Sequence, residues 1–391
     1  MVKGTTVYPS PISISASFTD SLSYIVGIQT AKEVRAAGSH WAFTPNIDVL
    51  RDPRWGRVGE TFGEDPLLVS NMGVRMIKGL QDSNEVIACA KHFIAGSEPI
   101  NGLNSSPMDI SERNLREIYL KPFKKAVEAG VYSIMTAHNE LNGVPCHMNK
   151  YLMKEILRDE FQFKGFIVSD WMDIERIHTL HKTAENIKEA SFLSVDAGMD
   201  MHMHGPYFLE YIVELVNENR ISEERINESA RKILLAKFKL GLFEDPFIDL
   251  SEVDENIFTK KHQNTSLEIA RKSIVLLQNN QGILPLKKLK KTRILVTGPN
   301  ANNHSILGDW TKPQPKENVI TVFEGIKSIA SKKDFEVDFH DSNSDILNIT
   351  ASDISSTVEV AQDYDYVFVV VGDNSLRHLK KKKTAGENMA R

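Results

Sequence analysis

An aspartate stands at the end of a short apolar run in the sequence KGFIVSDWMD, residues 164–173. The run is typical of a buried strand, and Asp170 follows it after a single serine. A carboxylate at the carboxyl end of such a strand could act as a nucleophile or as a general base. It could equally cap a following helix, and position alone does not separate the two. The neighbouring Trp171 offers a flat apolar face that suits stacking on a sugar ring, although a tryptophan in the core is the more frequent case.

Two further groups of polar residues come at or after predicted strands. Lys91 and His92 are adjacent donors that could hold hydroxyl oxygens, or they could be a charge beside a histidine with its hydrogen bonds satisfied inside the protein. The loop 51–66 carries Arg51, Arg54 and Arg57 together with several acids. Most of these charges should pair with one another, whereas one arginine that reaches into a pocket would clamp a ligand.

Composition argues against several classes of function. The net charge of −5 gives no basic footprint for nucleic acid, and the lysine run at 380–383 is interpreted as a solvated loop. Two cysteines, Cys89 and Cys146, cannot define a disulfide framework, and neither has a metal-ligand spacing. The stretch TGPNANN lacks the dinucleotide fingerprint, MHMH at 201–204 lacks a ligating carboxylate pattern, and no G-x-S-x-G occurs. We therefore expect no cofactor, no metal and, since no apolar run is long enough, no membrane span.

The elements that must position these residues alternate between strand and helix over the first part of the chain. Amphipathic patterns predict helices at 111–130, 148–161 and 224–243. Strands are predicted at 41–48, 86–93, 132–139 and 165–170, with a weaker one at 194–201. Such alternation predicts a parallel sheet, and the polar residues at successive strand ends converge if that sheet closes into a barrel. These residues are Asp48, Lys91, His92, His138 and Asp170.

The expected fold class is α/β, with a TIM-like (β/α)8 barrel followed by a second α/β domain. Roughly five or six strands are found where the barrel has eight, so we expect the barrel to be N-terminally incomplete. The predicted divisions are a barrel at 1–243, a polar linker at 244–266 and a partial sandwich domain at 267–391. In that last domain the sequence predicts a helix at 267–277, a strand at 292–301, a helix near 322–331 and a strand at 364–373.

Taken together, these stretches resemble glycoside hydrolase family 3 along nearly the whole chain. The resemblance is carried by VYPSPISISASFTD, the long DPRWGR…GEDP element, AKHFIAGSEPINGLN, IMTAHNELNGVPCH, GFIVSDW and VDAGMDM. It implies that Asp170 is the catalytic nucleophile and that Arg57, Lys91 and His92 hold the sugar. His138, whose matching position is often a tyrosine near the nucleophile, is also expected to contact the substrate, as is Trp171 through its flat aromatic face. The pair Gly386-Glu387 matches the motif whose glutamate is the general acid/base, so Glu387 is the expected partner of Asp170.

The resemblance implies a retaining, exo-acting hydrolase that releases terminal β-D-glucose from β-glucosides or oligosaccharides, with a β-xylosidase as the alternative. A second alternative is a fragment that binds carbohydrate without catalysis, because a sugar-clamping aspartate expected before VYPSP is missing and the sandwich domain stops at Arg391. The expected partner is a small-molecule or oligosaccharide β-glycoside. The full-length family protein is expected in the periplasm or outside the cell, and a cytoplasmic location stays open.

Overall fold

The structure is a computed structural model that describes residues 2–287, 292–308, 310–312, 314–343, 345 and 348–372. The described residues fall into two units, one formed by Tyr8–Ser273 and the other by 274–372 together with 2–7. Within the described residues, no helix is both long enough and apolar enough to cross a lipid bilayer.

A parallel sheet forms the centre of the first unit. Its strands lie in the order β1-β2-β3-β6, with bounds Trp41–Ala42 (β1), Ile87–Phe93 (β2), Ser133–Thr136 (β3) and Phe166–Val168 (β6). Beyond β6 the ladder continues through a parallel bridge between Val168 and Met201. A small antiparallel hairpin joins Glu140–Leu141 (β4) to Val144–Pro145 (β5). Every residue of β3 and β6 is buried, as expected for parallel strands covered by helices on their outer face.

Helices connect these strands. They are Pro11–Ala16 (α1), Asp20–Ala36 (α2), Pro66–Gln81 (α3), the contiguous segments Glu112–Asn114, Leu115–Tyr119 and Leu120–Glu128 (α4), Tyr151–Glu160 (α5, π-helical), Asp173–Thr179 (α6), Ile187–Ala197 (α7), Phe208–Asn217 (α8), Glu223–Lys239 (α9), Val253–Asn256 (α10) and Lys260–Ser273 (α11).

Local sequence explains where these helices begin and how closely they pack. Asp65 accepts a hydrogen bond from the backbone N–H of Leu68 at 2.8 Å, and Pro66 takes the first helical position of α3. Helices α2 and α3 meet through two glycines. A Cβ atom on Gly27 would lie 2.6 Å from the carbonyl oxygen of Met76, and one on Gly79 would lie 2.2 Å from that of Tyr24. Any larger residue at either position would push the helices apart.

The structure confirms the predicted helices in the first unit and shortens the strands. The predicted strand at 41–48 is paired only at β1 and through a bridge between Asn46 and Lys91. The weaker strand prediction at 194–201 is wrong for its first half, because α7 extends to Ala197. Gly198, at a φ of 118°, ends that helix, and only Met201 joins the sheet. The alternating apolar residues of 194–201 therefore belong to two different elements.

The second unit contains a three-stranded parallel sheet in the order β8-β7-β9. Its described elements are Arg293–Thr297 (β7), Val322–Ala330 (α12), Glu336–Phe339 (β8), Ala351–Ala361 (α13) and Tyr366–Val369 (β9). The helix predicted at 267–277 ends at Ser273 in the structure and starts at Lys260, inside the segment interpreted as a linker. The domain limits at 243 and 267 stay a prediction, and the observed first unit extends to Ser273.

Candidate active site

The residues predicted at the strand ends meet at one edge of the barrel sheet. Lys91 and His92 lie near the carboxyl end of β2, while His138 and Asp170 follow β3 and β6. The ring of His92 lies 3.6 Å from the Asp170 carboxylate, and that of His138 lies 3.0 Å from it. Parallel strands bring their carboxyl ends to the same edge, which explains how residues up to 79 positions apart in sequence come together.

Asp170 has a hydrogen-bond donor at one carboxylate oxygen and an imidazole at ion-pair distance from the other. Its Oδ1 accepts the backbone N–H of Trp171 at 2.6 Å, and its Oδ2 lies 3.0 Å from Nε2 of His138. The backbone N–H of Asp170 itself donates to Nε2 of His147 at 3.0 Å. Helix α6 begins only at Asp173, after Met172, so the Asp170 side chain does not serve as its N-cap. The side chain keeps 12% of its surface exposed, enough for a small reactant to reach it.

The electrostatic surroundings of Asp170 favour its ionised form. Burial by itself raises the pKa of Asp170, but charge on the imidazole of His138 is the largest effect opposing burial, and the net pKa lies below its usual value. The carboxyl group is therefore charged at neutral pH, as a nucleophile must be.

His92 is fixed as a neutral ring by its two neighbours. Its Nδ1 lies 2.8 Å from Asp48 Oδ2, and its Nε2 lies 3.1 Å from Nη2 of Arg57. A guanidinium can only donate, so Nε2 accepts and the proton sits on Nδ1, facing Asp48. Burial and the charge of Arg57 lower the pKa of His92, in agreement with this tautomer. At neutral pH, His138 is accordingly the imidazole that acts on Asp170 as a cation.

Arg57 is oriented by Glu60 from the same loop. Its Nε and Nη2 donate to the two Glu60 oxygens at 2.9 and 2.8 Å, a bidentate pair in which both side chains are about five-sixths buried. The guanidinium also lies over the ring of Trp55, 5.5 Å from its centroid. Burial raises the pKa of Glu60, but Arg57 outweighs burial and brings it to about 2. This pair therefore stays charged across the pH range in which proteins fold.

His138 joins Asp170 to a second carboxylate. Its Nδ1 lies 2.6 Å from Asp173 Oδ2, and Arg176 donates to the other Asp173 oxygen at 2.7 Å. Burial lowers the pKa of His138, but Asp173 and Asp170 outweigh burial, so the net shift is upward. His147, which accepts the Asp170 N–H, behaves in the opposite way, since burial brings its pKa to about 4.

Trp171 presents its indole beside the carboxylate. The side chain is 54% exposed, and one face of the ring stacks on His204 with centroids 3.9 Å apart and planes 22° from parallel. Next to it, Met172 has a φ of 56°, a left-handed conformation that costs an L-residue roughly 1–2 kcal/mol. This turn separates the tip of β6 from α6 and leaves the indole at the surface.

The remaining predicted site residues are Lys91 and Glu387. Lys91 is half-buried, and its charge helps to lower the pKa of both Glu60 and His92, so it lies within the same cluster. Glu387 lies outside the residues that the structure describes. Its role as acid/base stays a prediction.

Several residues of the site were not identified from the sequence. Asp48 was recognised only as a strand-end residue, whereas Glu60, His147, Asp173 and Arg176 were not assigned to the site. The signal for Asp173 and Arg176 is weak but present, since they follow Asp170 at intervals of three in the segment that forms α6. No local pattern points to His147, because its contact with Asp170 depends on how the hairpin β4–β5 folds over the sheet.

Within the described part of the chain, one trio of side chains offers donor atoms close enough for a metal ion, all within 4.8 Å of one another. The trio is His138, Asp170 and Asp173. An imidazole with two carboxylates suits a divalent cation by donor type. However, each nitrogen of His138 faces a carboxylate oxygen at hydrogen-bond distance, so a cation would have to displace those protons. The three side chains therefore form two ion pairs that share His138, one with Asp170 and one with Asp173.

The arrangement combines an ionised, partly exposed carboxylate with an exposed aromatic face and a fixed guanidinium. An ionised carboxylate can attack an electrophilic carbon and form a covalent intermediate. The aromatic face and the cationic donors suit a ligand that has both apolar ring faces and hydroxyl groups.

Two family descriptions match the chain. Residues 1–236 match the glycosyl hydrolase family 3 N terminal domain, and residues 274–391 match the glycosyl hydrolase family 3 C-terminal domain. A β-xylosidase of Formosa agariphila is 38% identical over an alignment of 408 positions. The alignment covers 98% of this chain and 55% of the relative. A periplasmic β-glucosidase of Salmonella typhimurium is 35% identical, with 83% of this chain and 43% of the relative covered.

Solved structures of β-glucosidases have a similar fold. The crystal structure of a β-glucosidase from Listeria innocua in complex with glucose matches with a TM-score of 0.88 at 32% identity, covering 98% of this chain and 53% of that one. The chain spans about half the length of the curated relatives that it matches. The predicted fold class, a TIM-like barrel followed by an α/β sandwich domain, is confirmed by these similarities.

Proposed function

This chain belongs to glycosyl hydrolase family 3, and from that premise we propose that it is a retaining, exo-acting glycoside hydrolase that releases terminal β-D-glucose. One observation carries the proposal. Asp170 stands ionised at the tip of a buried strand, with a backbone N–H on one oxygen, the His138 ring 3.0 Å from the other, and an exposed indole beside it.

In the proposed reaction, Asp170 attacks the anomeric carbon while the glycosidic bond to the leaving oxygen breaks. Glu387 donates its proton to that oxygen, and the product of this step is a glycosyl ester on Asp170. Glu387 then takes a proton from water, the water oxygen attacks the anomeric carbon, and the ester bond to Asp170 breaks. This double displacement requires the two carboxyl groups to lie about 5–5.5 Å apart during the reaction.

The sugar would be held by the cationic donors around Asp170. Arg57 spends its Nε–H and its Nη2 group on Glu60 and His92 in the described contacts, which leaves the Nη1 group for a hydroxyl. Lys91 would supply a second cationic donor. Trp171 offers the face on which the sugar or the leaving group would stack. His92 and His138 were also predicted to contact the substrate, and their rings reach the same carboxylate.

A β-xylosidase is the second candidate, because the Formosa agariphila relative that covers 98% of this chain carries that name. Xylosides lack only the hydroxymethyl group of glucosides, so the same carboxylate and cations would serve either sugar. We propose a periplasmic or secreted location on the ground that the Salmonella relative is named as periplasmic.

The function can be tested by following nitrophenol release from aryl β-glucosides and aryl β-xylosides in parallel. Asp170→Asn should lower kcat at least about 10³-fold. Asp196→Asn is a matched control, because Asp196 pairs with Lys154 on α5 and with Lys150 just before it, away from the strand ends, and it should keep the parent activity. Glu387→Gly should lose turnover and regain it with azide, which replaces water in the second step without needing a general base.

Two results would contradict the proposal. An Asp170→Asn variant with near-parent turnover would exclude the nucleophile role. Binding of β-glycosides without release of nitrophenol from any of them would identify the chain as a non-catalytic carbohydrate-binding protein.

A further inference from the structure

His138 is placed between two carboxylates and faces each with a different ring nitrogen. Its Nε2 lies 3.0 Å from Asp170 Oδ2, and its Nδ1 lies 2.6 Å from Asp173 Oδ2. Ionised carboxylates can only accept hydrogen bonds, so both contacts are favourable only if both nitrogens carry protons. The geometry therefore describes an imidazolium with a hydrogen bond to Asp173 and an ion-pair contact to the proposed nucleophile.

The other groups that face His138 are consistent with this charge. Arg176, from α6, has its Nη1 3.4 Å from Nδ1, but both groups make much shorter contacts with Asp173, at 2.7 Å for Nη1 and 2.6 Å for Nδ1. The Nδ1 proton therefore faces Asp173, and Arg176 holds the other Asp173 oxygen in place. His92 stacks at a centroid distance of 6.0 Å, and Arg57 is the cation beyond it. His147, from the segment after β5, is neutral because its Nε2 accepts the Asp170 N–H. His138 is thus the titratable cation that lies between the carboxylates of Asp170 and Asp173.

We propose that doubly protonated His138 is a positioning residue for Asp170, and that the loss of one of its protons slows glycosyl-enzyme formation at high pH even with an activated leaving group that does not need the proton of Glu387. The proposal rests on the function proposed above. The Nε2 contact at 3.0 Å, together with the Trp171 N–H at the other oxygen, holds the rotation of the carboxylate about its Cβ–Cγ bond. With one proton gone, the ring can no longer donate to both carboxylates, and Asp170 loses either its direct donor or the anchor that holds that donor in place.

The proposal has a signature that an ordinary buried histidine would not give. A histidine that merely fills space would be neutral, and its replacement would change stability and leave the pH profile unaltered. A positioning imidazolium instead loses its function when it loses a proton, so its titration contributes to the fall of kcat/KM at high pH. That pH dependence reports groups of the free enzyme. The net upward shift in the pKa of His138, in which its two carboxylates outweigh burial, has the direction this requires.

The test begins with the protonation state, which needs no turnover. In nitrogen-15 spectra of the histidine side chains near neutral pH, His138 should give the pattern of a doubly protonated ring, assigned by its loss in His138→Gln. His181→Gln is the matched control. His181 is also buried and pairs with an acid, Glu140 at 3.0 Å, but it does not touch Asp170. In Asp173→Asn, the His138 ring should lose its second proton at a lower pH than in the parent.

Kinetics with an activated aryl glycoside complete the test. His138→Gln keeps an amide that can donate to Asp170 but cannot titrate, so its alkaline limb should move to higher pH while kcat falls about 10-fold and KM stays within about twofold. His138→Phe keeps the ring without a donor and should lose about 100-fold in kcat. His181→Gln should keep the parent profile.

A His138 ring with a single proton near neutral pH would overturn the proposal, as would a His138→Gln variant with an unshifted alkaline limb. Failure of the underlying function shows itself differently, as turnover that survives Asp170→Asn. The two failures are therefore distinguishable.

Discussion

Replacing Asp200 by Asn should destabilise the protein by disrupting the buried charge cluster beside β6. The Asp200 side chain is fully buried and accepts from the backbone N–H of Ile167 at 3.0 Å, at the centre of β6. Arg158, Lys232 and Arg225 surround the same carboxylate at 2.6, 2.9 and 3.3 Å. Asparagine keeps the shape of the side chain but removes its charge. Its two N–H groups would also face the N–H donors that now bind the carboxylate, so they would lack acceptors.

The structure sets the size of the effect. Removing one partner of a buried ion pair costs roughly 3–5 kcal/mol, because the other charge is left without compensation. Here Arg158 also donates to the carbonyls of Phe163 and Gly165, and Arg225 to those of Val195 and Met199, so both keep partners. We therefore expect the low end, about 3 kcal/mol, which for a domain of this size is roughly 6–12 °C in Tm.

The pH dependence gives a second, independent check. Burial raises the pKa of Asp200, but Arg158 and Lys232 outweigh burial and lower it overall. A carboxyl group with a lowered folded-state pKa stabilises fully above its unfolded value of about 4, and that contribution is lost as the pH falls through the folded value. The difference between parent and Asp200→Asn should thus be largest near neutral pH and shrink in acid.

Urea unfolding followed by circular dichroism measures both quantities. Asp196→Asn is the control, since its carboxylate is 35% exposed and pairs with surface lysines, and we expect a change within about 0.5 kcal/mol. An Asp200→Asn variant that unfolds within 1 kcal/mol of the parent (about one third of the expected loss) near neutral pH would refute the reasoning.

Two further predictions concern Glu60 and the cysteines. Glu60→Gln removes the charge that orients Arg57. The KM for aryl glycosides should rise about 10-fold, which corresponds to roughly 1.4 kcal/mol, and kcat should change less. An unchanged KM would exclude Arg57 as a substrate clamp. Burial raises the pKa of Cys89 and Cys146 to about 12, so neither thiol should react with an aromatic disulfide reagent in the folded protein, and both should react in denaturant. Rapid labelling without denaturant would show that the segment around the labelled cysteine opens.

Part of the site could be predicted from sequence because single positions carried the signal. Asp170 ends a continuous apolar strand, and Lys91 and His92 lie at the end of another, so a parallel barrel places them at one edge. The partners of these residues could not be predicted in the same way. Whether Arg57 faces Glu60 or one of its other acidic neighbours depends on two short turns of the loop, Pro53–Trp55 and Val58–Glu60.

The fold shows the same division. Helix patterns such as that of α9 were predicted to within a few residues, because periodicity of apolar residues is a local property. The stretch 194–201 was misread because its apolar spacing fits a strand, while the tertiary packing extends α7 to Ala197. The contact of His138 with Asp173 depends on the left-handed turn at Met172, which no residue type in SDWMD indicates.

The most direct test of the central claim is to trap the covalent intermediate. With a 2-deoxy-2-fluoro-β-glucosyl fluoride, the glycosyl-enzyme forms much faster than the glycosyl-enzyme is hydrolysed, so it accumulates. The xylosyl analogue tests the second sugar in the same way. After peptic digestion, mass spectrometry should find one glycosyl group, on the peptide that contains KGFIVSDWMD, with fragmentation assigning it to Asp170. A label on another carboxylate, or equal labelling of the Asp170→Asn variant, would contradict the account.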